Sequence, residues 1–534
     1  MTTTHPWWET GLIYQIYPRS FQDRNGDGIG DLKGIQARLP YLADLGVTAL
    51  WLSPIYPSPL VACGDDIADY TAIHPMFGTM ADFLALLAAV HQRGLKLILD
   101  FVPNHTSDQH PWFRASRSKR EHPKRDWYLW KNAKPDGSPP NNWQSHFGGS
   151  AWEWDAATGQ YYLHLFTKAQ PDLNWRNPQV VQAMFAVLRF WLEHGVDGFR
   201  VDGIALLLKD AGFQDEPVIP EARKTSELDL SRSRTRTEDQ PEVHDLIRQM
   251  RRLVDEYGAR VLIGELWQAY EKLVAYYGKK ADECHLPFNL GLLDSPFTAQ
   301  AVMKLVHEYE AALPKDAWPN WVLGNHDRDR IASEQRAGAH NARLAQMLLL
   351  TLRGTPTMYY GDELGMPNVA LPPEKFQDPM AAGPGRSRDP ARTPMPWDDS
   401  PQAGFSTVAA WLPVAPDYAS RNVKRQEAEP ASMLQMVKQL IRLRQTSPAL
   451  NHGAYMQIPV FDRDVMAYLR TGGEESILVV LNFSPRERVV NLAGNSQKSQ
   501  KVLLSTRLDR TDEVSLNALK LRGHEGLIIR FAWY

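Results

Sequence analysis

Three acidic residues close short apolar runs: Asp202 follows VDGFRV, Glu265 follows RVLIG, and Asp327 follows WVLGNH. A carboxylate in such a place is costly to bury unless it is paired or put to use. Carboxylates grouped in this way suit glycoside hydrolysis. One attacks the anomeric carbon, one protonates the leaving oxygen, and further negative charge steadies an oxocarbenium-like transition state. The competing reading makes the same acids structural partners of Arg200, Arg328 or Arg330. A second cluster, DRNGDGIGD, sets oxygen donors at alternate positions: Asp23, Asn25, Asp27, the Ile29 backbone carbonyl and Asp31, with Gly28 at the sharp turn. Such donors suit a hard cation, a structural Ca²⁺ or alternatively Mg²⁺. The twelfth position is Gly34 rather than a bidentate Glu, so the loop is not an EF-hand; a metal-free cluster of Asx turns is the other reading.

The elements that must hold these acids are short and nearly continuous in apolar residues. Leu95–Phe101, Val196–Asp202, Arg260–Glu265 and Trp321–Asp327 read as strands buried on both faces, each ending in a polar cluster. Between them lie helical patterns such as Gln179–His194, with apolar residues at three- and four-residue spacing and Gly195 at a C-cap position. This alternation predicts βαβ units and a (β/α)₈ TIM barrel, whose reactive groups sit at the C-terminal ends of the strands. Glu265 and Asp327 stand two units apart, and Asp202 and Glu265 one unit plus a polar insertion at Gln214–Gln240, with Lys224, Arg232, Arg234 and Arg236. The span from Asp100 to Asp202 holds one unit plus a small Pro- and Trp-rich domain. The expected division is a barrel over 1–103 and 171–454 (with an insertion at about 365–425), an inserted B domain over 104–170, and a C-terminal all-β domain over 455–534, a β-sandwich.

Composition excludes several classes. The 534 residues are 43% hydrophobic and 23% charged, with net charge −3, which asks for neither nucleic acid nor an anionic membrane. Cys63 and Cys284 cannot build a disulfide framework, no zinc spacing occurs, and no window is long and apolar enough to span a bilayer. No signal peptide is evident at Met1–Trp8, so a cytoplasmic protein, monomeric or weakly homo-oligomeric, is expected. Tryptophan is abundant at 17 residues, and nine of them fall in or near the B domain and the acid-bearing motifs: Trp112, Trp127, Trp130, Trp143, Trp152, Trp154, Trp175, Trp267 and Trp397. Aromatic faces there can stack on sugar rings, although many will pack the small domain.

Six motifs occur in order: DFVPNH at 100–105, QPDLNW at 170–175, DGFRVD at 197–202, GEL at 264–266, NHD at 325–327 and RTPMPW at 392–397. With them the chain resembles glycoside hydrolase family 13, in its oligo-1,6-glucosidase and α-glucosidase branch, over nearly its whole length. The resemblance implies Asp202 as nucleophile, Glu265 as general acid/base and Asp327 as the third carboxylate, holding the sugar 2- and 3-hydroxyls. Arg200, on the same strand face as Asp202, would keep the nucleophile ionised. His105 and His326 would donate to sugar hydroxyls, unless they are packed core histidines. Asp66 and Arg392 resemble the pair that grips the non-reducing-end glucose, and Phe147 and Phe166 stand among the implied substrate-binding positions. The implied activity is a retaining, exo-acting α-glucosidase on small α-glucosides, with transglycosylation and no organic cofactor. An isomerase of sucrose or maltose, or a catalytically impaired sugar binder or scaffold, are the alternatives.

The chain departs from the branch around one pocket. The branch usually has GYD near residue 65, with the Tyr stacking on glucose, but this chain reads Cys63-Gly64-Asp65-Asp66. Gly203 follows the nucleophile where a larger residue is common and where Val accompanies α-1,6 preference. Ala205 and Trp267 are also unusual for the branch. These substitutions suggest a reshaped pocket, natural or engineered, that has lost a stacking contact of about 1 kcal/mol, leans towards α-1,4 or mixed linkage, and gains Trp267 as a new platform.

Overall fold

The computed structural model describes residues 5–218, 234–378, 387–492 and 499–531. Eight strands pair in parallel: β1 (Ile13–Ile16), β2 (Ala49–Leu52), β3 (Lys96–Phe101), β7 (Gly198–Val201), β8 (Val261–Leu266), β9 (Leu286–Asn289), β10 (Asn320–Val322) and β11 (Thr355–Tyr359). Their order is β10-β11-β1-β2-β3-β7-β8-β9. All their residues are buried except the half-exposed Lys96, which explains apolar runs without polar alternation. Ile13, Trp51, Ile98, Ile263, Phe288 and Val322 pack into one cluster drawn from strands all round the barrel. At the seam between β9 and β10, the Asn289 N–H donates to Asn320 Oδ1 (2.8 Å) and Asn320 Nδ2 donates to the Pro287 carbonyl (2.6 Å). One buried side chain thus bridges the edges of the sheet.

Helices lie between the strands. Met80–Gln92 starts at a Thr79–Asp82 capping box. Pro178–Glu193, expected one residue later, is capped by Asn177 and ends before Gly195, whose φ of +99° a residue with a side chain would rarely adopt. The acid-bearing strands match their expected runs, with one correction. β10 stops at Val322, so Asp327 lies five residues beyond it rather than at the strand end. Gly324 packs its backbone against Asp362, where an added Cβ would meet Oδ2 at 2.8 Å. Asn325 Oδ1 then accepts from the Asp327 N–H (3.0 Å), an Asx turn that presents the acid from a loop.

Between β3 and β7, strands β4 (Trp130–Lys131), β5 (Trp152–Asp155) and β6 (Gln160–Leu163) form an antiparallel sheet in the order β4-β6-β5. The stretch between β7 and β8 holds the polar insertion, of which 219–233, with Lys224 and Arg232, lies outside the described residues. Residues 379–386 of the later insertion lie outside them too.

The C-terminal part is all β: β12 (Ala454–Ile458), β13 (Val465–Gly472), β14 (Glu475–Asn482), β15 (Arg488–Val490), β16 (Gln500–Ser505), β17 (Glu513–Val514), β18 (Leu519–Leu521) and β19 (Gly526–Arg530). They form a six-stranded sheet, β12-β13-β14-β19-β16-β17, and a β15-β18 pair across a shared apolar cluster. Among the described residues no helix is long and apolar enough to cross a membrane.

Candidate active site

Arg200, at the third position of β7, organises the site. Its Nη1 donates to Asp100 Oδ1 (2.8 Å) and Asp202 Oδ1 (2.7 Å), and its Nη2 meets Glu265 Oε1 at 2.7 Å. Asp100 is placed by β3, Asp202 by the residue after β7, and Glu265 by the fifth residue of β8. Three neighbouring strand ends therefore converge on one buried guanidinium, as a parallel barrel permits. Burial raises all three acids against the pull of Arg200: Asp100 and Asp202 to about 6, Glu265 to about 7. Glu265 is further placed by the Gly203 N–H on Oε2 (3.1 Å) and the Trp267 indole N–H on Oε1 (3.2 Å).

Asp327 has the opposite environment. Arg388 Nη1 (2.8 Å) and Arg392 Nη2 (3.1 Å) both reach its Oδ1, and His326 Nε2 lies 3.3 Å from Oδ2. Burial works against the charge, yet the arginine guanidiniums, with the His326 N–H beside Oδ2, hold this carboxyl well below the usual range. His326 is itself buried, which pushes it down to about 3 and keeps it neutral. Its Nδ1 lies 2.8 Å from Gln15 Nε2, a donor, which leaves Nε2 as the protonated nitrogen facing Asp327. Arg392 also donates from Nε to the His326 carbonyl (2.7 Å), while its buried Nη1 has no partner among the described residues. Arg388, held from the other side by Asp378 at 2.8 Å, was not among the expected site residues; its position four residues before Arg392 was the available signal. Neither was Tyr17, which lines the pocket with His326 and Arg392.

Asp66, expected to grip the terminal glucose together with Arg392, is held by its own loop. It is buried there, accepting from Ser58 Oγ (2.8 Å) and the amides of Val61 and Ala62 (both 3.0 Å). Left-handed backbone at Leu60, Cys63 and Gly64 turns the loop so that Asp65 reaches the pocket lined by Arg392 and His326. Burial raises Asp65 to about 7 although Arg388 and Arg392 pull it down. Nor is His105 free to meet a sugar: its Nε2 lies 3.2 Å from the Asp65 carbonyl and 2.8 Å from Gln170 Nε2. Phe166 stacks on His146 at 4.9 Å and packs against His105 and Phe147. The QPDLNW motif straps this wall to the barrel, bridging Asp172 to His105 and tying the Trp175 indole to the Pro103 carbonyl (2.8 Å).

Gly203 is left-handed (φ +50°), and an added Cβ would meet Leu206 at 3.0 Å. It therefore supplies a backbone turn; Ala205 beside it is buried. Trp267 is exposed, with the Arg328 guanidinium 4.3 Å from its ring. In the 23–31 loop the chemistry is all hard oxygen, but the loop's own amides take the carboxylates. Asp23 accepts from the Gly26 (2.7 Å) and Gly28 (2.8 Å) N–H groups, and Asp31 from Arg24 (2.8 Å), Asn25 (3.1 Å) and Gly34 (2.7 Å). Asp27 Oδ1 accepts from the Ile29 N–H (2.8 Å), and Asn25 Oδ1 from that of Asp27 (2.9 Å). Among the described residues no three acidic, His or Cys side chains gather as metal ligands.

Residues 15–453 match the family model described as alpha amylase, catalytic domain, and 465–528 that of the alpha-amylase SusG C-terminal domain. The chain belongs to the alpha-amylase family of glycoside hydrolases. Within that family it is 37% identical to an oligo-1,6-glucosidase of Parageobacillus thermoglucosidasius, covering 98% of this chain and 99% of the relative. It is 40% identical to maltase 1 of Drosophila virilis, covering 98% and 87%. Among solved family structures, it superposes on an alpha-glucosyl transfer enzyme with TM-score 0.91 at 36% identity, covering 99% and 100%. The trehalulose synthase of Pseudomonas mesoacidophila superposes at 0.90 with 35% identity, covering 99% and 100%.

Proposed function

We propose that this family member is a retaining, exo-acting α-glucosidase that releases glucose from short α-glucosides and transfers glucosyl groups as a side reaction. The observation that carries the reading is the single guanidinium of Arg200 shared by Asp202 and Glu265. Two carboxyls within hydrogen-bond reach of one guanidinium suit the short spacing of a double displacement. Asp202 attacks C1 while Glu265 gives its proton to the glycosidic oxygen. Water then attacks the glucosyl ester, Glu265 takes the water's proton, and Asp202 leaves as carboxylate. Asp327, kept ionised by its arginines, faces the positive charge that develops at the ring. Asp65 and the unpartnered Arg392 Nη1 supply an acceptor and a donor for hydroxyls of the terminal glucose. The names of the relatives support a small α-glucoside as substrate. The free thiols Cys63 and Cys284 support a reducing compartment such as the cytoplasm.

The test is a product-resolved panel of maltose, isomaltose, sucrose and an aryl α-glucoside, with anomers followed by NMR. The expected first product is α-glucose; β-glucose first would overturn the mechanism. The likeness to a trehalulose synthase favours one second reading, a sucrose isomerase. Isomaltulose or trehalulose from sucrose would select it, and glucose plus fructose the hydrolase. The donor set at 23–31 supports a structural Ca²⁺, with Mg²⁺ as the competing ion, fixing the loop and taking no part in the chemistry.

A further inference from the structure

The barrel helix Gly338–Thr351 and the C-terminal sheet border a cavity of about 360 Å³, the size of a small-molecule pocket. His340 and Arg343 line it from the helix, Arg507 from the turn after β16, and His524 from the turn before β19. None of the site acids is in its lining. Left-handed backbone at His524 (φ +55°) sets its ring against the helix, where it stacks on His340 at 5.9 Å and its Nδ1 lies 2.7 Å from Asn341 Oδ1. An Nδ1–H given to that oxygen leaves Nε2 without a partner among the described residues.

Backbone carbonyls hold the two guanidiniums. Arg343 donates from Nη1 to Thr506 (2.8 Å) and from Nη2 to Ala431 (2.6 Å), and Arg507 donates from Nη2 to Gly523 (3.0 Å). Most of their N–H donors are therefore unspent. The acids beside the cavity are already taken: Arg522 holds Asp509 (2.6 Å) and Glu525, which Arg510 also reaches at 3.3 Å. Glu429 acts on Arg343 without forming an ion pair with it. Within the cavity the basic groups repel one another: burial pushes His524 down, and His340 and Arg507 push it further. A metal on the two imidazoles would add a cation to this set, whereas an anion relieves the repulsion.

We propose that this cavity binds the phosphate group of a small metabolite between the barrel and the C-terminal sheet. Three acceptor oxygens and about two negative charges at neutral pH let a phosphate engage both guanidiniums, Arg343 on the barrel side and Arg507 on the sheet side. The volume favours a sugar phosphate over the free ion. A ligand gripped from both sides stabilises the junction between the two parts.

The experiment titrates the full chain at low salt by calorimetry with glucose 6-phosphate, inorganic phosphate and glucose, and follows Tm with each. Glucose 6-phosphate should bind at least about tenfold more tightly than glucose and should raise Tm. Tighter binding of glucose 6-phosphate than of inorganic phosphate assigns a sugar phosphate as ligand; the reverse order assigns the free ion, and both support the phosphate site. Arg507→Ala should weaken phosphate binding about tenfold and His340→Ala about threefold. Both side chains are exposed, so the unliganded variants should melt as the wild type does, and either one alone carries the test if the other fails to fold. Failure of both phosphate probes to bind, or glucose 6-phosphate binding no tighter than glucose, would overturn the proposal. So would an affinity unchanged in either folded variant, which would place the phosphate elsewhere. A Tm rise with Zn²⁺ that neither phosphate probe matches would make the imidazole pair a metal site and overturn it as well.

Discussion

Two carboxyls on one guanidinium behave differently because their remaining surroundings differ. Asp202 is raised to about 6 and Glu265 to about 7, so between those values the first is ionised while the second holds its proton. The signs give a bell-shaped profile. Falling pH protonates the nucleophile, and rising pH strips the acid. The kcat/KM for an aryl α-glucoside should therefore peak between about pH 6 and 7, with limbs belonging to the coupled pair. Glu265→Gln should remove the alkaline limb while Asp202→Asn abolishes turnover; an alkaline limb that survives Glu265→Gln would assign it elsewhere. Asp65 offers a second prediction. Asp65→Tyr exchanges a hydroxyl acceptor for a stacking face and should raise kcat/KM on maltose about fivefold; no change would mean that the two contacts offset each other or that Tyr17 beside it already serves. The sequence made Asp202 and Glu265 legible because each ends or sits in an apolar run. It could not show that Asp66 would be captured by Ser58 and two amides, since the path of the loop depends on left-handed turns at Leu60 and Cys63.

At the scale of elements, periodicity located the strands and the helix at 178–193 because burial on both faces leaves a continuous apolar signal. Loops were less legible: Asp327 and Arg388 reach the site on segments without a repeat, and their positions follow from ion pairs with each other. The β9–β10 seam depends on Asn320. Asn320→Ala would leave the Asn289 N–H and the Pro287 carbonyl buried without partners, at about 1–3 kcal/mol each. Urea unfolding should show a loss of about 2 kcal/mol or more, and an unchanged midpoint would mean that the seam closes without it. The 23–31 loop is braced from both directions, since the Trp411 N–H donates to the Gly28 carbonyl (2.9 Å) and Ser406 Oγ to Asp23 (2.6 Å). Bound Ca²⁺ should raise Tm by several degrees over EDTA-treated protein through mass action. Identical melting curves would leave the amide-satisfied loop as the functional form.

Across the whole molecule the barrel and the C-terminal sheet share a core. Leu344, Met347 and Leu348 of the barrel helix at 338–351 belong to the same apolar cluster as Met466, Tyr468, Leu481 and Ile528. Arg470, fully buried in β13, donates to the carbonyls of Thr351 (2.6 Å) and Gly453 (2.9 Å). Nothing in the alternation of β13 announced this, since an arginine in a strand reads as a solvent-facing residue. Arg470→Met should destabilise both parts together by leaving buried carbonyls unpaired. Activity and hydrogen-exchange protection of β13 and β14 should then be lost in one transition; two separate transitions would make the C-terminal sheet an independent module.

The central claim is that Asp202, held by Arg200, forms a covalent glucosyl ester. Incubation with 5-fluoro-α-glucosyl fluoride, followed by intact-mass measurement and peptide mapping, tests it most directly. One fluoroglucosyl group is expected, on the peptide carrying Asp202, and none on Asp202→Asn. Steady turnover without an adduct, or a label on any other residue, would contradict it.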